Sequence, residues 1–350
     1  MAPLGEWRLE REPALDGYTV EWAQPDRLIL SRRNALYETA EPGAPVRPLG
    51  RFAAPPLQRA VAQLRAGQRL LRFSFYNVVK LPGGEFFLSF GKHAGVMREG
   101  GVQPLDGMLR PTRILRNAAA LDDAGDVYFG EYLPNEERGP MHVYRLPAGT
   151  SRVEVAYRFE AGEIRHVHGI YRDPFDGSLW CATGDRPSEC RILRSVDGFR
   201  TVEIIGQGDE TWRCVSMVFT PDAIYYGSDA EFRMNHLYRL ARRGGRRDVL
   251  TEVEGPVYYS TTSGSDLFFG VTAELCPSQT EPSGVVWHVG SDGVPSRVAA
   301  LPKDPLPVRY FLPGTINFPG GPGVPGDVYF HGVALSGGDA HVLRLRRGAV

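Results

Sequence analysis

The sequence predicts an all-β chain folded as a seven-bladed β-propeller, and three observations carry that reading. A short phrase recurs: a polar turn, a β-rich tetrad, then a small or acidic residue. Glycine and proline are abundant, at 41 and 28 of 350 residues, which suits many short strands joined by tight turns. The final unit ends after three strands, while the chain opens on a strand without a local partner. Four antiparallel strands per unit, repeated around a ring, leave only short, protected sheet edges.

The opening strand is Trp7-Arg8-Leu9-Glu10-Arg11, expected to close the ring as the fourth strand of the last blade. The first copy of the phrase, Asp26-Arg27-Leu28-Ile29-Leu30-Ser31, is the weakest. Stronger copies follow at Glu85-Phe86-Phe87-Leu88-Ser89, at Asp126-Val127-Tyr128-Phe129-Gly130-Glu131 and at residues 178–185. The series ends with residues 223–229, Asp266-Leu267-Phe268-Phe269-Gly270 and Asp327-Val328-Tyr329-Phe330-His331-Gly332. An apolar or small-residue strand precedes each copy, as in Asn77-Val78-Val79-Lys80-Leu81. A strand ending in an aromatic and a basic residue follows, as in His142-Val143-Tyr144-Arg145-Leu146, and then a more polar one, as at 153–159. Spacing is about forty to fifty residues, the length of a four-stranded blade, lengthened by insertions. The count is seven blades, with six as the alternative, in one domain over residues 1–350. A helical insertion at about 55–67 interrupts it: Leu57, Val61 and Leu64 fall at i, i+4 and i+7, and Gly67 reads as a stop.

Net charge is −1, which removes the general electrostatic case for nucleic acid or an anionic membrane surface. The basic run Arg242-Arg243-Gly244-Gly245-Arg246-Arg247 holds no aromatic residue and reads as a solvated turn. No apolar run approaches the roughly 18 residues of a membrane span. The first residues lack the basic-then-apolar layout of a leader. Cys181, Cys190, Cys214 and Cys276 show no CxxC spacing and read as reduced thiols. A cytoplasmic protein without nucleic-acid or membrane partners is expected.

Residues Ser195-Val196-Asp197-Gly198-Phe199-Arg200-Thr201-Val202 follow the pattern Ser-x-Asp-x-Gly-x-Thr-Trp. Gly198 comes one position early, Phe199 fills the usual glycine slot, and Val202 replaces the tryptophan; Ser291-Asp292-Gly293 is a weaker copy. The chain thereby resembles the Asp-box (bacterial-neuraminidase-repeat) superfamily of sialidase-like propellers. The resemblance implies that the box is a turn between the outer two strands of a blade, away from the active face. It also implies carbohydrate-active chemistry. Sialidases have fewer blades and carry a Phe-Arg-Ile-Pro segment that is absent here, so their catalytic set is not transferred.

Loops leading into the first strand of a blade, and loops joining its second and third strands, open on one face of a propeller. The former carry Arg72, Arg113, Arg165 with His166 and His168, Trp212 with Arg213, Tyr258 with Tyr259, and Arg309. The latter carry Glu131 with Tyr132, Asp185, Asp229 with Glu231 and Asn235, Glu274, and His331. Arg165, Arg213 and Arg309 together suit a carboxylate, sulfate or phosphate. With Trp212, Tyr132, Asp229, Glu231 and Asn235 they form the expected substrate-binding set. The acids either neutralise those arginines or supply an acid/base pair across a glycosidic bond, and Glu131, Asp185 and Glu274 are the catalytic candidates among them.

His166 and His168, two apart on a strand, project to one side. They admit three readings: a general base, two ligands of a divalent metal completed by Glu131 or Asp185, or satisfied histidines beside the channel. No other cofactor is implied. Tyr258 and Tyr259 are a carboxylate-activated nucleophile by analogy with sialidases, a partner of histidine in elimination by analogy with propeller lyases, or the floor of a sugar site. The expected function is an enzyme acting on an anionic sugar or glycan, by hydrolysis or β-elimination. The alternatives are a non-catalytic binding scaffold and a metal-dependent hydrolase or isomerase of small molecules using His166 and His168.

Overall fold

Seven sheets of four antiparallel strands make the blades of the ring. The structure is a computed structural model and describes residues 7–348, so most of the stretch read above for a leader lies outside the described residues. Blades 1 to 6 follow chain order, at residues 19–51, 75–104, 119–159, 166–207, 217–253 and 257–302. Blade 7 takes Thr315–Asn317, Asp327–Val333 and Leu343–Arg347 from the end of the chain and Trp7–Arg11 from its beginning. Trp7 lies opposite Arg347 and Arg11 opposite Leu343, so the opening strand closes the ring as the unpaired edge required.

The first strand of each blade is innermost. In blade 4 it is His166–Arg172, buried along almost its whole length, while an outer strand such as Glu154–Phe159 is largely wet. Apolar clusters fill the seams between adjacent blades: Val167, Ile170 and Leu179 of blade 4 meet Ala120, Tyr128 and Phe159 of blade 3. The small residue ending the repeated phrase belongs to this packing. A Cβ on Gly130 would lie 2.3 Å from Val167 of the next blade, and one on Gly227 would lie 2.4 Å from Val257. The neighbouring inner strand therefore rests on bare backbone. Gly227→Val is expected to overpack the seam between blades 5 and 6 and to lower stability by about 1–3 kcal/mol in urea unfolding.

The Ser195–Val202 stretch forms the turn that its pattern implied, between the third and fourth strands of blade 4. The Phe199 N–H donates to Ser195 Oγ at 2.8 Å, and Thr201 Oγ1 donates to Asp197 Oδ2 at 2.7 Å. Phe199 adopts φ 68° in the glycine slot. Its ring, buried against Tyr128 and Tyr157 of blade 3, accounts for a bulky residue there.

The insertion departs from the single helix expected at 55–67. It forms two short helices, α1 (Pro56–Val61) and α2 (Arg65–Leu71), and Gly67 sits buried inside α2 rather than ending a helix. Leu57 and Leu64 are 76% and 73% exposed, so the apolar stripe does not face a core. Charge holds the segment instead: Arg65 pairs with Asp339 at 2.5 Å, and buried Arg69 pairs with Asp304 and donates to the Phe311 carbonyl at 2.8 Å. The basic turn is also less free than expected, because Arg242 reaches back to the buried Asp173 at 2.9 Å. The four cysteines are unbridged. Among the described residues no helix is long and apolar enough to cross a membrane.

Candidate functional site

Four inner strands reach the mouth through the same device. In blades 1, 2, 4 and 6 the pairing of first and second strands slips by one residue, leaving Glu21, Tyr76, His168 and Tyr258 as the extra residue. A β-bulge re-aims the side chain of the extra residue. Glu21, Tyr76 and Tyr258 line the cavity at the mouth, and His168 lies just behind it. The cavity has two lobes, of about 850 Å³ and 310 Å³, that share Arg72, Arg113, Tyr132, Tyr258 and Glu274.

One wall, from blades 4 to 6, is a chain of paired ionisable groups. His166 Nε2 lies 3.3 Å and His168 Nε2 3.8 Å from Asp185 Oδ1. Gly184 admits this approach, since a Cβ there would lie 2.8 Å from His168. Asp185 itself holds φ 131°, a conformation that side chains rarely adopt. Arg165 Nη1 binds Asp185 Oδ2 at 2.7 Å, and Arg213 bridges Asp185 at 3.4 Å and Asp229 at 3.0 Å. Beside them the Tyr258 hydroxyl donates to Glu274. Tyr132 covers the wall, with its ring 4.2 Å from that of His166.

The protonation of this wall follows from its burial. Burial pushes Tyr132 up to about 12, helped by the Asp185 and Asp229 charges, so its hydroxyl keeps its proton. Burial also raises Asp229, with Glu274 and Asp185 adding repulsion against the pull of Arg213. Glu274 rises above the ordinary 4.5 through burial and the Glu231 and Asp185 charges, against the Tyr258 hydrogen bond and Arg213. Burial pushes His168 down, opposed by its contact with Asp185.

Another part of the lining is cationic. Arg72 and Arg113 have no carboxylate partner among the described residues, and Arg113 Nε is buried without a hydrogen bond. Burial and the neighbouring Arg72 charge both depress Arg113. The floor of the small lobe is neutralised: buried Arg116 pairs with Glu21 at 2.7 Å, and Ser31 Oγ donates to the same carboxylate at 2.6 Å.

The structure brings His166, His168, Asp185, Tyr258, Glu274, Arg165, Arg213, Tyr132 and Asp229 together, with Tyr259 buried in the small lobe and Glu231 exposed at the rim. Four expected residues lie elsewhere. Glu131 is fully buried behind Tyr132, where it accepts from Arg110 at 2.6 Å, the His142 N–H at 3.0 Å and the Tyr144 hydroxyl at 2.9 Å. Strand alternation turns one of these two neighbours inward and the other into the blade. Trp212 packs on Gly206 beneath the guanidinium of Arg247, 3.8 Å away. Buried Asn235 clamps its own loop, bonding Ala230 N–H and C=O at 2.8 and 2.9 Å. Arg309 sits exposed on α3 (Val308–Phe311), well before the first strand of blade 7, over the ring of Tyr310.

The expected arginine trio is therefore replaced. Arg165 and Arg213 are taken up by acids, and Arg72 and Arg113 are the pair left for a ligand. Both stood in the right loops in the sequence, but nothing local marked them as unpaired. The Glu21–Arg116 pair had a visible signal, a lone acid inside the apolar strand Thr19–Gln24.

No protein-family model matches the chain, and no curated protein matches it. Among solved structures it is similar to a chain of the mitotic checkpoint complex, with a TM-score of 0.58 and 10% identity over 100% of this chain and 96% of that one. It is also similar to a prolyl endopeptidase structure, with a TM-score of 0.56 and 13% identity over 95% of this chain and 50% of that one. PorZ of Porphyromonas gingivalis, a surface component of the type-IX secretion system, gives a TM-score of 0.51 and 10% identity over 99% of this chain and 40% of that one. The chain thus spans half or less of the last two, and at these identities the likeness is one of fold alone.

Proposed function

We propose that the protein is a carbohydrate-active enzyme working on an anionic sugar or glycan, related to the Asp-box propellers. The observation that carries the reading is that the unpaired Arg72–Arg113 couple lines the same cavity as the Tyr258–Glu274 pair. A substrate carboxylate docks on the two guanidiniums. Its reacting carbon then stands over the Tyr258 hydroxyl, and Glu274 accepts the phenolic proton as Tyr258 attacks or abstracts. Partly buried Tyr132, which keeps its proton, stands ready to donate to the leaving oxygen. The Asp-box turn supports the kinship, because its hydrogen bonds form despite Phe199 in the glycine slot. Unbridged thiols suit a reducing compartment, and so a small or intracellular sugar derivative rather than an extracellular polymer.

A panel of uronate- and sialate-bearing saccharides tests this. Hydrolysis gives reducing ends alone, whereas elimination from a uronate gives an unsaturated product that absorbs in the ultraviolet. Turnover should be lost on carboxyl-reduced substrates. Arg72→Ala with Arg113→Ala is expected to raise KM by about a hundredfold or more, since each charge-assisted contact contributes roughly 1.5–3 kcal/mol. Preference for neutral substrates, or an unchanged KM in the double variant, counts against the reading.

A further inference from the structure

We propose that His166, His168 and Asp185 hold a divalent transition-metal ion at the edge of the larger lobe. The inference stands on the directions of the two imidazoles. His166 Nδ1 lies 3.2 Å from the Leu133 carbonyl oxygen, and His168 Nδ1 lies 2.8 Å from the Cys214 carbonyl oxygen. A carbonyl only accepts, so both Nδ1 atoms carry hydrogen. Each Nε2 then presents a lone pair toward the same oxygen, Asp185 Oδ1. Three acceptors converge on one point, and the Arg213 guanidinium beside them reaches Oδ1 only at 3.4 Å. A single proton can bridge one imidazole to Oδ1 and leaves the other still opposed. A cation at the centre satisfies all three.

Burial makes the mismatch matter. Both histidines are buried, and His166 Nε2 has no hydrogen-bond partner. The outer contacts match those of metal-bound histidines, which commonly donate their second ring N–H to a backbone carbonyl and are oriented by it. The spacing also fits. Bonds of about 2.0–2.2 Å to imidazole nitrogen and carboxylate oxygen place ligand atoms about 3–3.5 Å apart. The observed separations from Oδ1 are 3.3 and 3.8 Å, and the three atoms lie within 4.8 Å of one another. To reach that spacing His168 Nε2 closes on Oδ1 by a few tenths of an ångström.

The surrounding charges leave room for the ion. Arg165 occupies Oδ2, the other oxygen of Asp185, and Arg213, 3.4 Å from Oδ1, is held closer to Asp229 at 3.0 Å. Two nitrogens and one oxygen suit zinc or iron(II) better than magnesium or calcium, which prefer all-oxygen shells. Three protein ligands leave a position open toward the lobe that His166 and Asp185 line, as in catalytic rather than structural sites. An ion there would give an anionic ligand a third positive contact beside Arg72 and Arg113.

The test uses the full chain stripped with a chelator and then equilibrated with Zn²⁺ or Co²⁺ alone. After desalting, elemental analysis is expected to find about one equivalent per chain, and Co²⁺ should give visible d–d absorption of a low-coordinate nitrogen and oxygen site. The metal should also raise Tm, because it binds the native state. His166→Ala with His168→Ala should abolish the equivalent and the absorption, while Glu274→Gln, outside the ligand set, should keep both. Far-ultraviolet circular dichroism checks that the histidine variant folds. If it does not, Asp185→Asn, which keeps the side-chain shape but is a poorer ligand than a carboxylate, is expected to weaken binding by about tenfold or more. Wild-type protein that retains no metal, or a folded double variant that retains a full equivalent, overturns the proposal. No sugar enters these measurements, so a failed saccharide assay leaves the metal result standing, and the reverse also holds.

Discussion

Glu274→Gln is expected to lower kcat on the anionic sugar by about 10²–10⁴-fold while leaving KM and Tm near those of the parent, the range assigned to a lost general base. Glutamine keeps the shape and still accepts the Tyr258 hydrogen bond, but it cannot take up the phenolic proton. The pH profile supplies the sign. Glu274 must be ionised to act, and burial with the Glu231 and Asp185 charges raises it above 4.5. Activity should therefore fall as pH drops through that raised value, so the acid limb of kcat/KM stands above the position of an ordinary glutamate. That limb should be missing from whatever activity the glutamine variant retains. A variant with parental kcat would remove Glu274 from the chemistry.

Glu131→Ala is expected to do the opposite, lowering stability by about 3–5 kcal/mol with kcat/KM nearly unchanged in the folded fraction. Glu131 is fully buried and receives Arg110 through two nitrogens, at 3.0 and 2.6 Å, together with the His142 N–H and ring and the Tyr144 hydroxyl. Removing it strands a partly buried guanidinium and a buried hydroxyl inside blade 3. Urea unfolding measures the loss, and turnover per folded molecule separates it from catalysis. A stable, inactive Glu131→Ala protein would return this carboxylate to the active site. The two variants together divide the acids of the second-to-third loops into one that holds the blade and one that faces the ligand.

These loops also show the limits of local pattern. The sequence placed Glu131 and Glu274 in equivalent loops. Only the packing distinguishes them. Glu131 meets donors from its own blade, whereas Glu274 meets Tyr258 on its own inner strand and opens onto the cavity. The arginines divide similarly. Arg165 and Arg213 looked available and are paired, while Arg72 and Arg113 looked ordinary and are not.

The blade count, the closure by Trp7–Arg11, the turn at Ser195–Val202 and the face that carries the polar loops were all legible from the residues. Each depends on alternation, turn chemistry or a repeated phrase, which neighbouring residues impose on one another. The helical insertion was half legible. Its periodicity was real, but charges from distant loops, Asp304 and Asp339, decided which side faced the protein. The site itself was decided by tertiary structure. Slips of register at Glu21, Tyr76 and Tyr258 turn those side chains to the mouth, and a fourth turns His168 to Asp185 just behind it. A slip of one residue reverses the face of a strand, and which slip occurs is set by the partner strand and the neighbouring blade, not by the order of residues along the strand itself.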